Sequence, residues 1–213
     1  MKTDDLVLML ATGAGAADPA AARRRWLPVM AGATLVAMVV MFVVLGLNPL
    51  LDRFVRLPLF WVREAFCAAL ALGGLAAAAR LGRPGAPLTG LQARLLVPLA
   101  AMGLLGAGTL LVADPADRAA LLLGSSWTEC SLGIALLSLP VFAATIWWMR
   151  GLAPTRLRLA GAAAGFAAGA VGALVYTLHC PEVEAPFVAT WYVLGMLLPA
   201  ALGALLGPRL LRW

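Results

Sequence analysis

Two thiols stand where this sequence could do chemistry. Cys180 lies in Thr177-Leu178-His179-Cys180-Pro181-Glu182, the stretch that also holds the chain's single histidine. Cys130 lies in Trp127-Thr128-Glu129-Cys130. Both sit at the mouths of long apolar segments. Paired thiols of this kind can form a disulfide that staples two helices, act as a redox- or metal-responsive pair, or pack without reference to one another. If they respond to a metal, thiolate sulfur suits a soft cation such as zinc or cadmium, with His179, Glu129 or Glu182 as candidate supporting ligands. Each of those three also has a bland account, the histidine as an interfacial side chain and the glutamates as solvated loop charges. Cys67, the third cysteine, falls deeper among Phe66 and alanines and reads as an inert packing thiol.

The elements that must position these residues are membrane helices. The chain has 213 residues, 63% hydrophobic and only 12% charged, with a mean hydropathy of +0.95. That balance leaves too little polar surface for a soluble domain of this length. Six apolar segments, about 27–47, 58–79, 95–113, 131–149, 157–178 and 186–206, each approach the ~20 residues that cross the hydrocarbon core. The expected fold is all-α, a polytopic bundle of six transmembrane helices spanning 27–206. A tail over 1–26 precedes it and a basic C-terminus over 207–213 follows. Asp4, Asp5 and Asp18 occupy the place of a basic n-region, so the first span reads as an anchor rather than a cleaved leader.

Charge sets the orientation. With the N-terminus inside, Lys2, Arg23, Arg24, Arg25, Arg80, Arg83, Arg94, Arg150, Arg156, Arg158, Arg209 and Arg212 all fall on the cytoplasmic side, twelve of the 16 basic residues. Arg53, Arg56 and Arg118 share the outer loops with Asp52, Asp114, Asp117, Glu129, Glu182 and Glu184. This bias puts both termini in the cytoplasm and both mouth cysteines outside. The net charge of +6 is thereby explained by orientation, and no direct nucleic-acid contact is expected. Trp26, Trp61, Trp127, Trp147, Trp148 and Trp213 fall at span ends, with Trp191 in the outer part of the sixth, as an interfacial belt requires.

Spans four and five are joined by a short turn around Arg150–Arg156 and should be antiparallel neighbours. Counted from Ala153, Cys130 is 23 residues back and Cys180 is 27 forward, which puts them within about 6 Å of the same depth. In span five, Gly161, Gly165 and Gly169 recur every four residues, followed by Ala173. Such a stripe lets a neighbouring helix approach closely, inside the bundle or, as a second reading, in a homodimer. Arg63 and Glu64 enter the second span within about a turn of its outer end, where snorkelling or pairing across helices would accommodate them.

The tail offers one short amphipathic helix on a tether. Thr3 can cap it, Asp4 and Asp5 suit its positive end, and Leu6, Met9 and Leu10 recur at helical spacing. Thr12 to Ala17 reads as a Gly/Ala linker, and Asp18-Pro19 as the cap and first turn of the next helix. A helix this short is marginal alone and suits a waiting partner. Among functions, catalysis is the least supported. There is no CxxC, no histidine pair for haem, no Ser/His dyad, no phosphate loop, and no deep acidic relay for an ion-coupled transporter. No obligatory cofactor is expected.

Several stretches together point to one family. They are Met1-Lys2-Thr3-Asp4-Asp5-Leu6, the Pro58…Phe60-Trp61-Val62-Arg63 entry to span two, Leu122-Leu123-Gly124-Ser125-Ser126-Trp127…Cys130, Arg150-Gly151-Leu152-Ala153-Pro154-Thr155, Leu178-His179-Cys180-Pro181-Glu182 and Trp191-Tyr192…Gly195. Over essentially its whole length the chain resembles the NrsF family, negative regulators of sigma-F, which are six-span membrane anti-sigma factors of extracytoplasmic-function sigma factors in proteobacteria. The resemblance implies a sigma-factor partner held at the membrane; the amphipathic tail, with Thr3, Asp4, Asp5, Leu6, Met9 and Leu10, is the candidate contact. It also implies that Cys130 and Cys180 sense heavy-metal or oxidative stress, with transient binding of a soft metal as one route. The family often has Lys where this chain has Arg63. The alternative from another class is a small six-span transporter or permease whose outer disulfide is structural.

Overall fold

The computed structural model describes residues 3–13 and 19–212, without the side chains of Leu10, Gly13 and residues 19–25. The expectations for Lys2, residues 14–17 of the linker, the Asp18 cap, the Arg23–Arg25 side chains and Trp213 fall outside the described residues. Ten α-helical segments follow in order: α1 (Thr3–Gly13), α2 (Pro19–Val40), α3 (Leu51–Phe54), α4 (Pro58–Leu81), α5 (Leu91–Val112), α6 (Arg118–Leu123), α7 (Trp127–Arg150), α8 (Leu157–Tyr176), α9 (Ala185–Phe187) and α10 (Val193–Leu210). A π-helical turn over Met41–Leu45 extends α2, and another over Val188–Tyr192 joins α9 to α10. All regular structure among the described residues is helical, and six helices are long and apolar enough to cross a membrane. The helices run past the expected spans at some ends. α5 starts at Leu91 rather than 95, and α7 starts at Trp127, which draws Cys130 into its first turn.

α8 is the axis of the bundle, packed against α10, α4 and α7. Its sequence explains that position. Fourteen of its residues are buried, nearly all Gly, Ala or Val, and with so little side chain its neighbours pack against backbone. The glycine stripe is spent on α10. A Cβ on Gly161 would strike the Gly203 carbonyl, one on Gly165 the Pro199 carbonyl, and one on Gly169 would lie 2.8 Å from the Met196 Cα. Crossings this close bring Cα–H groups onto carbonyls and recover dispersion that lipid tails cannot match. The stripe thus packs inside the bundle, the first of its two readings, and gives no support to a homodimer through the same face.

The bundle has two chemically distinct ends. At one, Trp26 of α2 stacks on Trp148 of α7 with ring centroids 5.6 Å apart, and Arg150 donates to the Leu210 carbonyl. Arg80 and Arg83 on one side and Arg156 on the other line a concavity at this end. The other end gathers Arg63, Trp127, Cys130, Cys180, Glu182 and Trp191, and is called the thiol end below. α1 stands apart, with Leu6, Val7, Leu8 and Met9 all exposed.

Candidate functional site

The site is the segment 177–184 between α8 and α9, together with what holds it. As α8 ends, the Thr177 amide bonds to the Ala173 carbonyl and the His179 and Cys180 amides both bond to the Tyr176 carbonyl. The chain then runs extended into Pro181 and Glu182, leaving carbonyls that no helix pairs. Arg63 pairs them. Its Nη1 donates to the carbonyls of Cys180 (3.1 Å) and Glu182 (2.6 Å), and its Nη2 to that of Thr177 (2.9 Å). The guanidinium lies 5.1 Å from the Phe60 ring centroid and 6.0 Å from that of Tyr192. Glu64 stands 3.8 Å from Nη2, a loose ion pair.

Arg63 is 1% exposed, so of the two expected accommodations it pairs across helices rather than snorkelling. A charge this buried is costly unless its donors are used. The geometry shows the use: a planar fork bridges three carbonyls at the negative end of α8. The sequence signalled an unusual charge here but not its partner more than a hundred residues away.

Other contacts fasten the same segment. His179 Nδ1 lies 2.9 Å from the Gly46 carbonyl. A carbonyl only accepts, so Nδ1 carries the proton. The Asn48 amide donates to the Leu178 carbonyl. Glu182 Oε1 accepts from the Ser125 amide (2.7 Å) and hydroxyl (2.6 Å). Gly124 sits under that carboxylate at φ 55°, where any Cβ would lie 2.7 Å from it, so the turn needs glycine for both shape and space. The Ser126 hydroxyl is 3.8 Å from Cys180 Sγ. In the π turn, the Trp191 carbonyl accepts from Ser131 and the Trp191 indole donates to the Leu122 carbonyl. Turns of this kind recur at functional sites.

Inside this frame Cys130 and Cys180 lie in one buried cluster and act on one another electrostatically. Both are free, at 0% and 1% exposure. The juxtaposition expected from equal depth is therefore present, but the mouths are closed. A reagent reaches either sulfur only when the 177–184 segment moves. Cys67 belongs to the same buried cluster, with Tyr176 and Tyr192. The supporting ligands do not assemble. His179 is engaged with Gly46, Glu182 caps the Gly124 turn, and Glu129 is exposed on α7. Among the described residues no group of three or more His, Cys, Asp or Glu is placed to hold a metal.

The family described as negative regulator of sigma F, NrsF, matches residues 10–213. The chain belongs to the NrsF family. A probable anti-sigma-F factor NrsF of Azospira oryzae is 51% identical over the full length of both chains. An anti-sigma-F factor NrsF of Caulobacter vibrioides is 40% identical, again over both full lengths. No solved structure matches. The family is regulatory rather than catalytic.

In this NrsF-family chain the two thiols differ in their surroundings. Cys180 is drawn below the ordinary thiol value to about 6, chiefly by the hydrogen bond from Cys130. Burial opposes the shift, while the Glu182 amide, the Tyr192 hydroxyl and the Arg63 charge assist it. A lowered value means that the thiolate contributes stability in full above the unfolded thiol value of about 8.5 and loses it as pH falls through about 6. In a Cys67→Ser background, thiolate ultraviolet absorbance should therefore titrate near pH 6. Cys130→Ala, which removes the donor, should move that midpoint back toward the ordinary value. An unmoved midpoint would mean that Cys130 does not act on Cys180.

Proposed function

We propose that this chain is a membrane-bound anti-sigma factor that holds an extracytoplasmic-function sigma factor at the inner membrane and releases it when Cys130 and Cys180 meet an oxidant or a soft metal ion. The observation that carries the reading is the closed thiol pair clamped by Arg63, in a family whose full-length relatives are named anti-sigma-F factors. Family membership favours this over a small permease with a structural disulfide. In the charge-derived orientation both termini face the cytoplasm, and the thiol end faces out. The exposed, unpartnered apolar residues of α1 then lie on the side where a sigma factor is found.

Two inputs can act on the pair. With an oxidant such as chromate, the Cys180 thiolate and Cys130 thiol lose two electrons and one proton to form a disulfide, and the oxidant is reduced. With cadmium, two thiolates replace water on the ion and the Cys130 proton goes to solvent. Only the two sulfurs are in place, so a metal completes its shell with water or with groups that must move.

Either event changes the spacing of α7 and α8 beside Gly133, where a Cβ would lie 2.5 Å from Tyr176, and Gly172, where one would lie 2.9 Å from the Ile134 carbonyl. Packed helices shift as units rather than bending. A swing from almost fully bound to almost fully free needs about 5.5 kcal/mol of differential stabilisation. Thr3, Asp4, Asp5, Leu6, Met9 and Leu10 of the tail form the proposed hook. Deleting residues 1–17 should abolish capture of the sigma factor by full-length protein in detergent, with the melting temperature of the bundle kept. Undiminished capture by the truncated chain would move the contact to the loops between spans.

A further inference from the structure

Opposite the thiol end, two loops distant in sequence close around a concavity. The 82–90 loop between α4 and α5 contributes Arg83, the last turn of α4 contributes Arg80, and the 151–156 turn between α7 and α8 contributes Thr155 and Arg156. The space measures about 120 Å³. Its walls are fixed. Arg80 Nη1 donates to the Thr89 carbonyl at 2.8 Å, and Gly82 is buried where a Cβ would lie 2.8 Å from Leu152 Cδ1. Pro154 is buried and Ala153 takes φ 51°, a conformation costly for a residue with a Cβ.

We propose that this concavity is a binding site for an anionic phospholipid, which places its phosphate between Arg80, Arg83 and Arg156. Membrane orientation explains why arginines are on this side; it does not explain why three of them, from segments some seventy residues apart, converge on one cavity. Like charges brought together repel, and among the described residues no carboxylate lies within ion-pair distance of any of the three. The positive end of α8, which begins at Leu157 directly after Thr155 and Arg156, adds to the same field. The occupant follows from the height of the site. Arg80 lies in the last turn of a spanning helix, so the cavity opens at the level of the headgroups, where basic pockets between helices take lipid phosphate. This rests on the membrane placement proposed above and is independent of the sigma-factor contact.

The test uses full-length protein in neutral detergent, titrated separately with phosphatidylglycerol, phosphatidylcholine and inorganic phosphate, with bound lipid counted by native mass spectrometry. One phosphatidylglycerol should bind in preference to phosphatidylcholine. Arg83→Gln and Arg156→Gln, both at exposed positions, should each weaken that preference roughly fivefold. Arg53→Gln/Arg56→Gln, at the thiol end, should leave it intact. Equal binding of both lipids, or a preference untouched by the two single variants, overturns the proposal. Phosphate that competes as strongly as phosphatidylglycerol would make this a free-phosphate site and overturn the lipid assignment. If the variants lose the sigma factor yet keep the lipid preference, the arginines serve the protein partner and the proposal fails.

Discussion

Arg63→Leu is expected to open the thiol end. The substitution deletes donors to the carbonyls of Thr177, Cys180 and Glu182 at once and leaves them beside a leucine that cannot pair them. Each buried acceptor so orphaned costs on the order of 1 kcal/mol or more, so a loss of about 3 kcal/mol is expected, concentrated in the 177–184 segment. Two readouts follow. The melting temperature of the detergent-solubilised chain should fall, and alkylation of Cys180, now 1% exposed, should accelerate roughly 10–100-fold as local opening becomes easier. Arg63→Lys should lie between, because an ammonium keeps the charge but cannot span three carbonyls as a planar fork does. A leucine variant with unchanged alkylation would show that the clamp does not hold the thiols closed.

Gly165→Val should be the most damaging change in the bundle itself. Where α8 crosses α10, a Cβ at this position would collide with the Pro199 carbonyl and lie 2.8 Å from the Ala200 Cα. These are backbone atoms, which cannot swing aside as a side chain could. Overpacking a well-filled core costs about 1–3 kcal/mol; here the two most extensively packed helices must separate along their length, so the upper end of that range or loss of the folded bundle is expected. Gly103→Val, a glycine with open space around it on α5, is the matched control and should melt as the parent does. Equal melting temperatures for the two variants would place the α8–α10 crossing elsewhere.

Much of this was legible in the sequence, for physical reasons. Apolar length gives the six helices, because a span must satisfy its own backbone. The four-residue recurrence of Gly161, Gly165 and Gly169 announces a close helix contact, though not that α10 makes it. The equal depth of Cys130 and Cys180 follows from rise per residue once α7 and α8 are antiparallel, and their adjacency is what the structure adds. Arg63, Glu182 and His179 were not legible. Each acts on backbone groups far along the chain, and a carbonyl or amide has no signature in a sequence. Composition marks Arg63 as an expensive residue and leaves its purpose open. Snorkelling and cross-helix pairing were both open for Arg63, and metal support stood beside interfacial or loop roles for His179 and Glu182; the backbone contacts that each makes could not be read from residue type. Ser126 and Tyr192 lie in stretches that point to the family, but nothing in those stretches announces that they stand by the thiols, and the π turn over Val188–Tyr192 has no sequence rule to announce it.

The central claim is that the state of the thiol pair sets the hold on the sigma factor, and one comparison tests it most directly. Full-length chain and its Cys130→Ser/Cys180→Ser variant would each be loaded with an extracytoplasmic-function sigma factor in lipid nanodiscs and exposed to cadmium or chromate. The account predicts that the parent releases the sigma factor and the double variant, folded and loaded to the same extent, retains it. Release from the double variant at the parent's rate would contradict the account and move the sensor away from these two sulfurs.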